Sequence, residues 1–327
     1  MSLLFAPMQV KGITFRNRVV MPPMVTGRAD TSGCATDEII AHYERRARGG
    51  TGMVIVEATY VHEGGRCWER GLGAASPRHE AGLSALAGRL RQAGAVAAIQ
   101  LVHGGPQASP EASGSPTVGP SAVRPSDDAP EPRPLSVAEM QAIQGHFAEA
   151  AARAVAAGFD AVEVHGAHGF LLDSFLSSQR NLRDDAYGGP IQGRMRMLVE
   201  TCQRVKSRLG EGALLICRIS IFNKIREGFA RPDFEQLVKG LEGAGVDVLH
   251  LSTDGDGAFR GYFGDDRSLG QRAKALTDLP IIVAGRLGNP ADAERAIAEG
   301  HCDFAAVGSA MLEDPDWAEH ARRALVE

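Results

Sequence analysis

The 327-residue chain, with 44% hydrophobic residues, 23% charged residues and a formal charge of -5, has the proportions of a globular protein able to bury a large core. It shows no basic cluster for nucleic acid, no long acidic tail and no apolar run long enough to cross a bilayer. Five cysteines without a CxxC pair argue against a disulfide framework and against a zinc or iron–sulfur site. The expectation is an unprocessed cytoplasmic protein with no metal, acting on a small molecule.

In chain order, short β-branched or apolar runs alternate with amphipathic helical segments, the pattern of a parallel sheet with crossover helices. Eight runs predict strands: "RVVMPP" near 18–23, "GMVIVEA" at 52–58, "VAAIQLV" at 96–102, "AVEVH" at 161–165, "ALLICRIS" at 213–220, "VDVLHLS" at 246–252, "PIIVAG" at 280–285 and "DFAAVG" at 303–308. Ser136 and Glu139 in "SVAEM" form a capping box, and Asn289-Pro290 reads as an N-cap followed by a first-turn proline. Gly94, Gly158, Gly245 and Gly300 follow helical patterns, where a left-handed turn disfavours a Cβ. Eight β-α units with no composition break predict one α/β domain over residues 1–327, a (β/α)8 TIM barrel rather than a doubly wound sheet.

Residues 104–134, rich in Pro, Ser and Gly, interrupt this rhythm between the third strand and its helix. Such a composition does not support a helix. It suits either a linker or a lid facing the substrate, and the lack of a domain boundary on either side favours the lid.

In a barrel, reactive groups gather at the C-terminal ends of the strands. There the sequence places Thr26, Glu57, Gln100, His103, His165, His168, Arg218, His250, Asp254 and Arg286. Arg218 lies inside the apolar run "LICRIS", which fits a cleft holding an anion or electron-rich group, or else a salt bridge at the rim. Glycines after the last two strands, in "IIVAGRLGNP" and "FAAVGSAML", suit backbone approach to a phosphate or plain tight turns. In "EVHGAHGF", His165 and His168 are open to three readings: metal ligands with Glu163, core histidines, or anchors for a substrate oxygen. No third ligand at recognisable spacing follows, so the oxygen anchor is favoured.

These motifs converge on a family. The chain resembles the old yellow enzyme family of FMN-dependent NAD(P)H:flavin oxidoreductases from "LLFAPMQVKGITFRNRVVMPPM" to "GSAMLEDPDW". The most specific segment is "EVHGAHGFLLDSFLSSQRNLRDDAYGG", supported by "EATYV", "IQLVHGG" and "CRIS". The resemblance implies an FMN across the barrel mouth and NADH or NADPH as the electron donor. Pro22, Pro23, Met24 and Ala58 would then contact the isoalloxazine, Gln100 its pyrimidine edge, and Arg218 the N1 and O2 atoms that carry charge on reduction. Gly285, Arg286, Gly308 and Ser309 fall at the phosphate. His165 and His168 would face the space above the flavin, with Thr26, Phe170 and Asp254 on the substrate side.

Three positions depart from the family pattern. Phe170 stands where much of the family has a proton-donating tyrosine, Ser309 where an arginine commonly grips the phosphate, and Val25 where relatives have Thr or Cys. Larger relatives carry a cysteine-rich cluster after the barrel. With the chain ending at Glu327, a self-contained electron-transfer chain is not expected.

Two directions of flavin chemistry follow from the resemblance. One is NAD(P)H-driven reduction of electron-poor alkenes such as enones. The other is oxidation of an amine or N-methyl compound, with electrons passed to a separate acceptor. A third reading, without cofactor, uses His165 and His168 as the acid and base of a lyase or isomerase. Homo-oligomerisation is left open.

Overall fold

The computed structural model describes residues 2–221, 228–253 and 255–326. Eight parallel strands, each paired with its neighbours in sequence, close into a barrel. They are β1 Val19–Met21, β2 Met53–Tyr60, β3 Val96–Val102, β4 Ala161–Gly166, β5 Leu214–Ser220, β6 Val248–Ser252, β7 Ile281–Ala284 and β8 Phe304–Ala306. All eight predicted runs are strands, and the barrel is the one expected. Pro22 and Pro23 fall outside β1, since a proline has no N–H to give to the ladder.

Around the barrel lie α1 Asp37–Arg48, α2 Glu80–Gln92, α3 Val137–Ala156, α4 Arg196–Leu209, α5 Arg231–Gly243, α6 Leu269–Lys274, α7 Pro290–Ala298 and α8 Trp317–Val326. The predicted capping box is present: Ser136 N–H donates to Glu139 Oε2 at 2.8 Å, and Glu139 N–H to Ser136 Oγ at 3.3 Å. Asn289 Oδ1 caps α7 by accepting from Ala291 N–H at 2.9 Å. Gly94, Gly158, Gly245 and Gly300 all have positive φ, as their places behind helices require.

Alternation along each strand divides the core in two. Inward residues Val20, Ile55, Ala98, Ile216, Ile282 and Phe304 fill the barrel, while Val54, Ile99, Val162, Leu215 and Leu249 pack under the helices. An antiparallel hairpin, Met8–Val10 with Ile13–Phe15, closes the N-terminal end, with the Phe15 ring 4.9 Å from that of Phe304. The interior is therefore apolar at its base. Toward the strand C-termini the same inward positions become Gln100, Glu163, His165, Arg218, His250 and Ser252, so the polar groups inside apolar strands collect at one end.

Residues 104–134 are not featureless. Ser109 caps one helical turn, Pro110–Ser113, and Val118–Gly119 pairs with Arg133–Pro134. The expectation of no helix there is corrected by this turn, which a serine N-cap and a first-position proline permit despite the composition. Arg183 donates to the carbonyls of Pro120 and Leu135, and Leu182 N–H donates to Ser121 Oγ. These bonds tie the segment to the β4–α4 connection, as suits a wall over the mouth better than a linker.

Candidate active site

The site is built from strand register. His165 on β4 is the Cα partner of Arg218 on β5, which is in turn the partner of His250 on β6. One level below, Gln100 on β3 pairs with Glu163 on β4. Side chains at partnered positions of parallel strands share a face, so all five point into the barrel mouth.

Glu163 organises the lower level. Its Oε1 accepts from Gln100 Nε2 at 2.7 Å, and its Oε2 meets His250 Nδ1 at 2.6 Å. Burial pushes this carboxyl up, but His250, Arg218 and Gln100 outweigh that and hold it below the ordinary carboxylate range. Burial lowers His250, with Glu163 opposing. The pair is thus an ionised carboxylate accepting from a neutral imidazole. Glu163 serves Gln100 and His250, which is not the metal-ligand arrangement weighed with His165 and His168.

His165 lies above this pair, 3% exposed. Burial first, then the charges of His168, Arg218 and His250, drive its pKa well below the ordinary value, so it too is neutral. Its Nδ1 is buried without a hydrogen-bond partner among the described residues. His168 sits in the left-handed region at φ 60°, and its N–H donates to Ser220 Oγ at 3.0 Å. Its Nε2 lies 2.9 Å from Ser252 Oγ, to which Arg218 also donates at 3.3 Å. The two imidazoles meet edge to face at 5.1 Å. Phe170 adds its ring 4.9 Å from His165, and Trp68 stands 6.0 Å from Phe170. The two imidazoles are therefore backed by a cation on one side and an aromatic wall on the other.

The remaining predicted residues form the rim. Pro22 is buried, whereas Pro23, Met24 and Thr26 are half-buried on the loop after β1 and Val25 is exposed. Thr26 N–H donates to the buried carboxylate of Glu57 at 2.8 Å, and Tyr43 Oη of α1 donates to the same oxygen at 3.2 Å. Burial raises the Glu57 pKa. Ala58 is buried beside it. After β7 and β8, Gly285 and Gly308 are half-buried, and Arg286 and Ser309 are exposed. A Cβ on Gly308 would lie 3.3 Å from Met24 Sδ and 3.5 Å from Pro22 Cγ, so the β8 and β1 ends adjoin. Arg286 has φ 52° and, among the described residues, no ion pair. Asp254 lies outside the described residues.

His103 is corrected. Strand parity turns it outward, where Nδ1 accepts from Gly105 N–H at 3.1 Å and the ring lies parallel to His62. Burial, with smaller contributions from His62 and His146, lowers its pKa to about 3. Ser252 and Trp68 were not foreseen. Ser252 follows His250 by two residues and shares its inward parity, a signal the sequence did carry, whereas Trp68 reaches the site only through loop packing.

The family described as NADH:flavin oxidoreductase / NADH oxidase matches residues 3–327. An NADH oxidase of Thermoanaerobacter brockii is 35% identical over 98% of this chain, which spans about half that relative's length. An NADPH dehydrogenase of Listeria monocytogenes is 35% identical over 100% of this chain and 96% of its own. The old yellow enzyme homologue from Zymomonas mobilis superposes with a TM-score of 0.87 at 27% identity, covering 98% of this chain and 93% of that one. With the barrel, the mouth histidines and the matched length in agreement, the chain belongs to the NADH:flavin oxidoreductase / NADH oxidase family, the old yellow enzyme group, and is an oxidoreductase of that family.

Proposed function

We propose that this chain binds FMN and uses NADH or NADPH to reduce electron-poor alkenes such as enones. The observation that carries the reading is the shared level of His165, Arg218 and His250 in the barrel mouth, with donors and a cation turned to one space. The residues present fit the cofactor. His165 Nδ1 and His250 Nε2 are buried polar atoms without hydrogen-bond partners among the described residues. Gly308 leaves open the space where a Cβ would come within 3.3 Å of Met24 Sδ, and Arg286 is an exposed cation without an ion pair among the described residues, as an anchor for a phosphate should be.

Pro22, Pro23, Met24 and Ala58 would hold the isoalloxazine, Gln100 and Arg218 its pyrimidine side, and Gly285, Arg286, Gly308 and Ser309 the phosphate. FMN, when bound, supplies the hydride relay between nicotinamide and substrate. Arg218 would face the pyrimidine side with its positive charge, and a cation there would favour the reduced, anionic form. Neutral His165, with His168, donates N–H bonds to the oxygen of the acceptor and withdraws electron density from its double bond. Phe170 and Trp68 exclude water from that space and offer no proton. With the five cysteines as free thiols and no described helix long and apolar enough to cross a membrane, a cytoplasmic setting and a small-molecule substrate suit this reading.

Anaerobic mixing tests it. The FMN-loaded protein should lose its flavin absorbance with NADH or NADPH and regain it with cyclohexenone. Bleaching by an amine in place of either nicotinamide would put amine oxidation in its stead. A protein that takes up no FMN would overturn the flavin reading and leave the histidines as the acid and base of a cofactor-free enzyme.

A further inference from the structure

Beside the histidines lies a cavity of about 440 Å³ that the reaction outlined above does not use. It runs between the 104–134 segment and the β4–α4 connection and opens onto His168. Pro106, Pro125, Ala129 and Pro130 give it an apolar wall. Across from them stand Asp173 and Arg180.

The two charges are not equivalent. Asp173 is buried, and its Oδ2 accepts from Gly169 N–H at 2.8 Å, which commits it to holding the loop. Arg180 is half-buried, and its guanidinium makes no ion pair or hydrogen bond among the described residues. Its backbone is fixed, because Arg180 N–H donates to Ser177 Oγ at 3.2 Å. Gly169 makes room for its head: at φ 80°, a Cβ would lie 2.8 Å from Arg180 Nη1 and 2.5 Å from Gln107 Nε2. The side chain therefore crosses the Gly169 backbone, next to His168. A half-desolvated guanidinium without an ion pair among the described residues favours an anion, and the prolines opposite favour an organic body on that anion.

We infer that Arg180 is a specificity residue, binding a carboxylate or phosphate carried by the molecule that reacts above the flavin. The inference rests on the proposed function, since it takes His165 and His168 to hold that molecule's oxygen. Two carriers share the chemistry: the oxidising substrate, or the nicotinamide nucleotide through its phosphates.

Binding to the FMN-loaded enzyme is read from the flavin spectrum, using 3-(4-hydroxyphenyl)propanoate and its methyl ester. The acid should bind roughly tenfold tighter than the ester in wild type. Arg180→Gln should erase that preference and leave the ester within about twofold, and Arg180→Lys should restore part of it. In steady state, a rise in KM for NADPH and NADH in Arg180→Gln, without loss of acid preference, would assign the anion to the nucleotide. An unchanged acid preference together with unchanged nicotinamide KM overturns the inference and leaves the proposed function standing. Failure of both phenols to bind wild-type holoenzyme overturns the oxygen-anchoring role of the histidines and this inference with it.

Discussion

Glu163 and His250 meet inside the barrel with 2.6 Å between Oε2 and Nδ1, although their strands are separated by β5 and neither side chain reaches solvent. The carboxylate thus joins β3 to β6 through Gln100 and His250, directly beneath the level of Arg218. Glu163→Gln retains the shape but loses the charge, and it should cost about 1–3 kcal/mol of stability. Glu163→Ala, which leaves two polar partners buried and alone, should cost about 3–5 kcal/mol. Urea denaturation of the two variants beside wild type checks the order; equal stability of all three would show that the pair does not hold the barrel mouth.

Arg218 should set how tightly flavin is held and how readily it is reduced. Arg218→Met removes a charge-assisted contact and should lower FMN affinity, or the stability of the reduced form, by about 1.5–3 kcal/mol. FMN titration and a potential measured against a reference dye read the two effects separately. An unchanged affinity and potential would leave Arg218 as a structural group bonded to Ser252.

The histidine pair should bind phenols as phenolates and give a long-wavelength charge-transfer band over the flavin. His165→Ala combined with His168→Ala should abolish the band with FMN still bound. Because His165 is neutral through burial, the wild-type band should track the phenol's own ionisation and show no step near pH 6.5. A step there would mean that the imidazole, not the phenol, changes charge.

Phe170 offers no hydroxyl where its ring stands 4.9 Å from His165. A positioned general acid contributes ~10²–10⁴-fold, so reoxidation of the reduced enzyme by simple enones should be slow and Phe170→Tyr should quicken it. Stopped-flow reoxidation by cyclohexenone measures both rates. Fast wild-type turnover that the tyrosine fails to improve would show that another group or solvent supplies the proton.

His103 predicts an acid limit to stability. Its ordinary pKa of 6.5 falls to about 3 in the fold because it is buried. The unfolded chain therefore takes up a proton that the folded one refuses. Its contribution is complete above pH 6.5 and is lost as pH falls from there toward 3, at about 2 kcal/mol by pH 5. The gap in stability between pH 7.5 and pH 5 should narrow by about 2 kcal/mol in His103→Gln, with His165 and His250 keeping part of it; an unchanged gap would place the acid sensitivity elsewhere.

The sequence alone determined the barrel, because eight apolar runs, their caps and the glycines behind the helices are local signals that each residue's own backbone preferences enforce. It also determined which residues stand at the strand ends: "EVHGAHGF" and "LICRIS" put His165, His168 and Arg218 there by position in the chain. What it did not determine was direction and partnership. His103 sits at a strand end like the others, yet parity turns it to the helix side. Glu163, a potential metal ligand beside His165 in sequence, instead pairs with His250, 87 positions away. Trp68 lies in no quoted motif and Arg180, though inside the segment that begins "EVHGAHGF", has no sequence signal of its own; both reach the mouth through the folding of two loops. Side-chain facing and long-range pairing depend on register across β3 to β6 and on the paths of those loops. These are properties of the closed barrel that no window of sequence contains.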